Sequence, residues 1–140
     1  QTKLVTVLQG SVMDYFVDMR KESPTYLDYG SMELSEQNNC MIFIPEGFAH
    51  GYISLEDRTI ISYKLGAPYQ PKHEITLLWS DNDIGIKWPQ TEHLHISEKD
   101  ALGGLYKTEE KQGDSSCNQC FPLASAPKGY KKNLHDKTIF

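Results

Sequence analysis

Apolar and polar positions alternate along the first two thirds of the chain, in short runs separated by turn residues. Residues 3–8 (KLVTVL) are β-rich and end at Gly10. Residues 12–19 (VMDYFVDM) alternate, so that Val12, Asp14, Phe16 and Asp18 share one face and Met13, Tyr15, Val17 and Met19 the other. Residues 29–34, 41–44, 49–55, 59–65 and 75–79 read as further strands. Ser23-Pro24-Thr25, Ser35-Glu36-Gln37-Asn38-Asn39, Pro45-Glu46-Gly47 and Glu56-Asp57-Arg58 break the runs. Short strands at roughly 8–12-residue spacing predict an all-β sandwich or barrel. Ser97-Glu98-Lys99-Asp100 has the S-x-x-D form of a helix start, and Gly103-Gly104 ends that helix within two turns. From residue 108 onward the chain is polar and loop-like. Asp14 and Asp18 set a requirement. If their face is internal, each acid needs a partner or it binds a proton.

The chain has 140 residues, one domain's worth. It is 39% hydrophobic and 11% aromatic, which excludes wholesale disorder. No apolar run in the 140 residues approaches the roughly 20 residues of a membrane span, and no stretch of them reads as a basic-then-apolar leader. The net charge is −5, and Arg20 and Arg58 are its two arginines. A duplex-binding surface would need a basic stripe. No nucleic-acid or membrane partner is expected, and a cytoplasmic location is. Lys128, Lys131 and Lys132, with Tyr130 between them, read as a solvated tail. The chain opens at Gln1, without Met, and reads as strand almost at once, so the sequence is expected to begin inside a fold.

Three cysteines are too few for a disulfide scaffold. Cys40 reads as a buried thiol. Cys117-Asn118-Gln119-Cys120 lacks the further ligands of a zinc site and the βαβ context of a redox motif, so it reads as two plain thiols. His50 follows a Pro-Glu-Gly turn and can serve as acid, base, donor or ligand. Tyr63 shares a strand face with Ile61 and Leu65, and Tyr69 lies in the rigid loop beyond it. Lys3 alternates out of phase with Leu4 and Leu8, and by itself reads as an exposed strand lysine. Asp100 can simply cap its helix. His93 and His95 would share a strand face, but no third ligand is well spaced, so they read as surface residues.

Taken together, several segments resemble the dTDP-4-dehydrorhamnose 3,5-epimerase family. They are Gln1-Thr2-Lys3-Leu4-Val5, Val17-Asp18-Met19-Arg20-Lys21 with Ser23-Pro24-Thr25, and Ile44-Pro45-Glu46-Gly47-Phe48-Ala49-His50-Gly51. Tyr63-Lys64, Trp79-Ser80-Asp81, Ile84-Gly85-Ile86-Lys87-Trp88-Pro89 and Ile96-Ser97-Glu98-Lys99-Asp100 follow in the family's order. The resemblance implies a cupin-type double-stranded β-barrel (a jelly roll) over residues 1–105, lacking its N-terminal strands. A short C-terminal helical segment and a tail over residues 106–140 complete the expected organisation. It also implies a homodimer without metal or other cofactor, serving surface-polysaccharide sugar synthesis.

The implied substrate is a dTDP- or GDP-linked 4-keto-6-deoxy sugar, or a related keto-heptose. A base removes a proton from C3 or C5 beside the ketone, and an acid on the opposite face returns one. By resemblance, Asp100 matches the carboxylate that orients the base His, Lys3 the cation near the C4 oxygen, and Tyr69 the acid. Tyr63, His50 and Asp14 match residues lining the sugar pocket, and His50 would be the partner that Asp14 requires. The family's base His lies in an Arg-Gly-Leu-His run upstream of the Gln-x-Lys-Leu-Val segment, and that run does not occur in the 140 residues. Where many members carry Arg-Gly before the Trp-x-Asp run, this chain has Ile75-Thr76. Two other classes fit the residues less fully: a non-catalytic cupin that binds a nucleotide sugar or carbohydrate, and a metal-dependent cupin using His50.

Overall fold

The computed structural model describes residues 1–68, 70, 75–89 and 95–106. Tyr69, His93, Cys117, Cys120 and the basic cluster lie outside the described residues. Within them, β1 (Lys3–Gln9), β2 (Ser11–Asp18), β3 (Tyr29–Ser35), β4 (Met41–Ile44), β5 (Phe48–Ser54) and β6 (Ile60–Leu65) precede a single turn of helix, α1 (Glu98–Ala101). The strands form two antiparallel sheets, ordered β4-β1-β6 and β3-β2-β5.

The predicted alternation decides what fills the space between the sheets. Val5 and Val7 of β1, Val12 of β2, Leu34 of β3 and Ile44 of β4 meet there with Cys40, whose thiol is free and buried as expected. Met32, Ile42, Phe48 and Ile61 close around them. Full burial of a side chain such as Leu34 or Ile44 contributes about 1.5–3 kcal/mol.

The outer face of β3-β2-β5 is covered as well. Val17 packs there with Ile84 and Tyr106. The Trp88 ring lies 4.4 Å from that of Tyr15, whose hydroxyl donates to the Lys87 carbonyl at 3.3 Å. Gly85 makes the turn at φ 64. The buried Asp81 carboxylate ties the covering layer together, accepting from the backbone N–H groups of Asp83 (2.8 Å), Ile84 (3.3 Å) and Tyr106 (2.7 Å). The Ile84–Pro89 motif is thus a packing element laid across a sheet.

One expected strand is absent. Residues 75–79 belong to this covering layer, where Leu77 makes an isolated parallel bridge to Gly104. Gly104 N–H donates to Thr76 O at 2.9 Å, and the chain turns at residues 79–80. The expected helix forms. The Ser97 hydroxyl accepts from Asp100 N–H at 3.1 Å, and the helix closes at Leu102 before the glycines. Among the described residues no helix is long and apolar enough to cross a membrane.

Candidate active site

The interior changes character from one side to the other. Toward β4, β1 and β3 it is aliphatic. Toward β5 and β6, the edge strands of their sheets, it becomes polar and aromatic. The register explains the change. Asp14 stands opposite Tyr52, and Phe16 opposite His50, on the β2–β5 ladder. Tyr63 stands opposite Val5 on the β1–β6 ladder. Asp14 follows Val12 on the inner face of β2, so it enters the space between the sheets with His50 and Tyr63.

Asp14 finds the partner it requires. His50 Nε2 lies 2.8 Å from Asp14 Oδ2, and the two side chains keep 5% and 0% of their surface exposed. The carboxylate fixes the ring and leaves Nδ1 as the second ring nitrogen. The other carboxylate oxygen, Oδ1, is buried with no hydrogen-bond partner among the described residues. Three rings extend the group outward. His50 and Tyr63 meet edge-on at 6.3 Å, Tyr52 lies 6.4 Å from Tyr63, and His50 and Tyr52 are 6.5 Å apart. Burial pushes the Tyr63 phenol far above its ordinary range, with hydrogen bonding to Tyr52 and the nearby Asp14 charge adding to the effect. Tyr63 therefore stays neutral and able to donate at physiological pH.

Lys3 is not the exposed strand lysine that its neighbours suggest. It is half-buried, and it alternates with Val5 and Val7, the row that faces inward. Asp100 behaves as a capping residue. It is exposed, and its carboxylate accepts from the Ser97 hydroxyl at 2.6 Å. Among the described residues no group of three His, Cys, Asp or Glu side chains is arranged to hold a metal ion.

Asp18 lies on the same face of β2 as Asp14 and is held differently. Its carboxylate accepts from Arg20 Nε at 2.8 Å and Nη2 at 2.7 Å, Arg20 N–H at 3.0 Å, Ser23 Oγ at 2.6 Å and Thr25 Oγ1 at 2.7 Å. Burial alone would raise its pKa, but these donors outweigh burial and hold it well below the usual carboxylate range. The Arg20 guanidinium lies 4.8 Å above the Phe48 ring. Gly47 makes the preceding turn at φ 84, where a Cβ would come within 2.6 Å of Arg20 Cγ. Hence Ile44–His50 is one device: a core residue, a turn under the clamp, a platform for Arg20, and the imidazole. Sequence reading missed the Asp18 clamp and Tyr52. The signal for Tyr52 was its position two residues after His50, on the same strand face.

Two facing antiparallel sheets with a polar group between them define a double-stranded β-barrel of the cupin type. Comparison with known proteins specifies it further. Residues 1–107 match the family model described as dTDP-4-dehydrorhamnose 3,5-epimerase. The chain belongs to that family. It is 46% identical over 102 residues to the dTDP-4-dehydrorhamnose 3,5-epimerase of Methanothermobacter thermautotrophicus, covering 71% of this chain and 55% of the relative. The Bacillus anthracis enzyme, solved with TDP and PPi bound, superposes with a TM-score of 0.71 at 39% identity, over 74% of this chain and 59% of that one. The Legionella pneumophila dTDP-6-deoxy-D-glucose-3,5-epimerase, solved with dTDP-4-keto-L-rhamnose, gives 0.72 at 38%, over 74% and 55%. The chain spans about half the length of the curated relatives it matches.

Proposed function

We propose that this chain carries most of the sugar pocket of a nucleotide-sugar epimerase. Its substrate would be a 4-keto-6-deoxy sugar on a nucleoside diphosphate, inverted at C3, C5 or both through an enolate. The observation that carries the reading is the convergence of His50, Asp14 and Tyr63 between the sheets, with Lys3 on the same inward row of β1 as the core valines. The family membership and the nucleotide and keto-sugar ligands of the two solved relatives support it.

The chemistry matches the side chains. A C4 ketone acidifies the protons on its neighbouring carbons. A cation at Lys3 stabilises the charge that develops on the C4 oxygen. His50, held by Asp14, offers a hydrogen bond to the sugar. A neutral phenol then returns the proton. Resemblance gives that last role to Tyr69, and the geometry adds Tyr63 as a phenol already beside His50. Asp100 would orient the base, a residue not assigned within this chain. We place the barrel at residues 1–105 and the tail at 106–140. A homodimer fits the uncovered outer face of β4-β1-β6, where Phe43 and Met41 are 58% and 49% exposed beside Leu4 and Thr6.

The deciding experiment supplies a dTDP- or GDP-linked 4-keto-6-deoxy sugar in deuterated water. Deuterium is expected at C3, C5 or both. No exchange with any such sugar would refute the proposal. Tyr63→Phe and Tyr69→Phe, compared for exchange against epimer formation, identify the acid: its loss slows epimer formation while leaving exchange measurable.

A further inference from the structure

Phe16 stands apart from the other residues on its face of β2. Val12, Asp14 and Asp18 on that face are buried, as are Tyr15 and Val17 on the other, whereas Phe16 is partly exposed. β2 is the central strand of its sheet, and the layer that includes Ile84 and Trp88 covers its outer side. The exposed part of the Phe16 ring therefore opens into the space between the sheets. Its partners in register are His50 on β5 and Gly30 on β3. Gly30 makes room for the ring. A Cβ there would come within 2.5 Å of Phe16 Cζ and 2.6 Å of Cε2, so the tip of the ring rests on the Gly30 backbone. Gly30 is not among the glycines of positive φ, so it serves clearance and not backbone conformation. The Phe48 ring, 6.4 Å from that of Phe16, stands beside it.

An aromatic ring over a strand glycine has a plain packing use, because it shields the backbone. Packing alone would bury the ring, as it buries Leu34 on the same face of β3. Phe16 instead keeps part of its ring open to the interior, next to the polar group of Asp14, His50 and Tyr63. It is a seated, uncharged surface beside the imidazole. The sugar of the proposed substrate class has one fully apolar group, the methyl on C5, the carbon next to the C4 ketone. An apolar surface there lets the methyl leave water, and it leaves an added 6-hydroxyl without a partner. We infer that Phe16 is a specificity-determining residue: its ring, seated on Gly30 beside His50, receives the C5 methyl and selects 6-deoxy sugars over their 6-hydroxy counterparts. The inference rests on the epimerase reading for its ligand and on the exposed ring for its place.

Two unreactive ligands, dTDP-glucose and dTDP-6-deoxyglucose, differ only at that position. Titration calorimetry on the full chain gives the ratio of their dissociation constants, with TDP as the reference that lacks a sugar. Wild type is expected to hold the 6-deoxy sugar about tenfold more tightly. Phe16→Ala should bring the ratio to within about twofold of one and leave the TDP affinity within about twofold of wild type. Phe16→Leu, a milder change for the fold, should give a ratio between the two. Gly30→Ala displaces the ring and should also lower the ratio, but not further when combined with Phe16→Ala. A wild-type ratio near one, or no binding, overturns the inference. So does a wild-type ratio that survives in Phe16→Ala or, where that variant does not fold, in Phe16→Leu. A lowered melting temperature with the ratio intact would make Phe16 a packing residue only. An equal loss of TDP affinity would place the ring against the nucleotide and overturn the inference as well. Wild-type protein that shows the Phe16-dependent ratio but exchanges no deuterium from a 4-keto sugar would remove the epimerase reading and leave the sugar selection standing. Exchange with a ratio indifferent to Phe16 would do the reverse.

Discussion

Replacing Asp18 with Asn keeps shape and removes charge. Five hydrogen bonds converge on the two carboxylate oxygens, all from groups that can only donate to them in this arrangement. An amide offers one acceptor oxygen and turns an N–H₂ toward the remaining donors. Breaking a buried ion pair by removing one partner costs about 3–5 kcal/mol. Asp18 is buried, with 2% of its side chain exposed, but Arg20 keeps 48% and can be resolvated, which argues for the lower end. The expected loss is about 3 kcal/mol, or about 10 °C in melting temperature for a domain of this size. Urea unfolding followed by tryptophan fluorescence, on wild type and Asp18→Asn in parallel, measures it. The pH dependence sharpens the test. The folded pKa of Asp18 is depressed below its ordinary 3.8, so its stabilisation is fully present above pH 3.8 and is lost as pH falls toward the folded value. The gap between the two proteins should stay constant from pH 8 to 5 and narrow by about 1 kcal/mol by pH 3. Equal midpoints at pH 7, or a gap unchanged at pH 3, would refute the reasoning.

Lys3→Met should lower kcat by about 10²–10³-fold in the exchange assay while leaving the melting temperature little changed; an undiminished kcat would remove Lys3 from the site. Asp14→Asn, which deprives His50 of its anionic partner, should cost at least about tenfold in kcat, and full activity would show that the imidazole needs no such anchor. Gly103→Ala would bring a Cβ within 2.7 Å of the Leu77 and Leu78 backbones, so a loss of about 1–3 kcal/mol is expected by thermal unfolding; an unchanged melting curve would mean that the covering layer yields freely. Dialysis against a chelator should leave deuterium exchange intact, and activity restored only by added metal would favour the metal-dependent reading.

The six strands were legible because alternation is a local property. Val12–Asp18 showed both of its faces in the sequence, and the structure gave each acid a partner. The helix start was legible for the same reason, since a cap is made within four residues. Residues 75–79 misled because an apolar run that packs on the outside of a sheet looks like a strand inside one. Lys3 misled because its phase was judged against Leu4 and Leu8, whereas the inward row is Val5 and Val7. Tyr52 left only the signal of sharing a strand face with His50, because the pairing of β5 with β2, and the approach of β6 across the interior, are what bring it to Tyr63. Asp100 joins no such group among the described residues. Its partner there is Ser97.

The β2 strand is central in its sheet and covered on both sides, by the aliphatic interior and by the Trp88 layer. Its amides should be among the slowest to exchange with solvent, while β5 and β6, at the sheet edges, open at lower cost. The polar group therefore joins a stationary floor to a movable rim. Asp14 stands on the floor; His50, Tyr52 and Tyr63 ride the rim. The hydrogen bond that orients the imidazole thus also ties the edge strand β5 to the central strand β2 through their side chains.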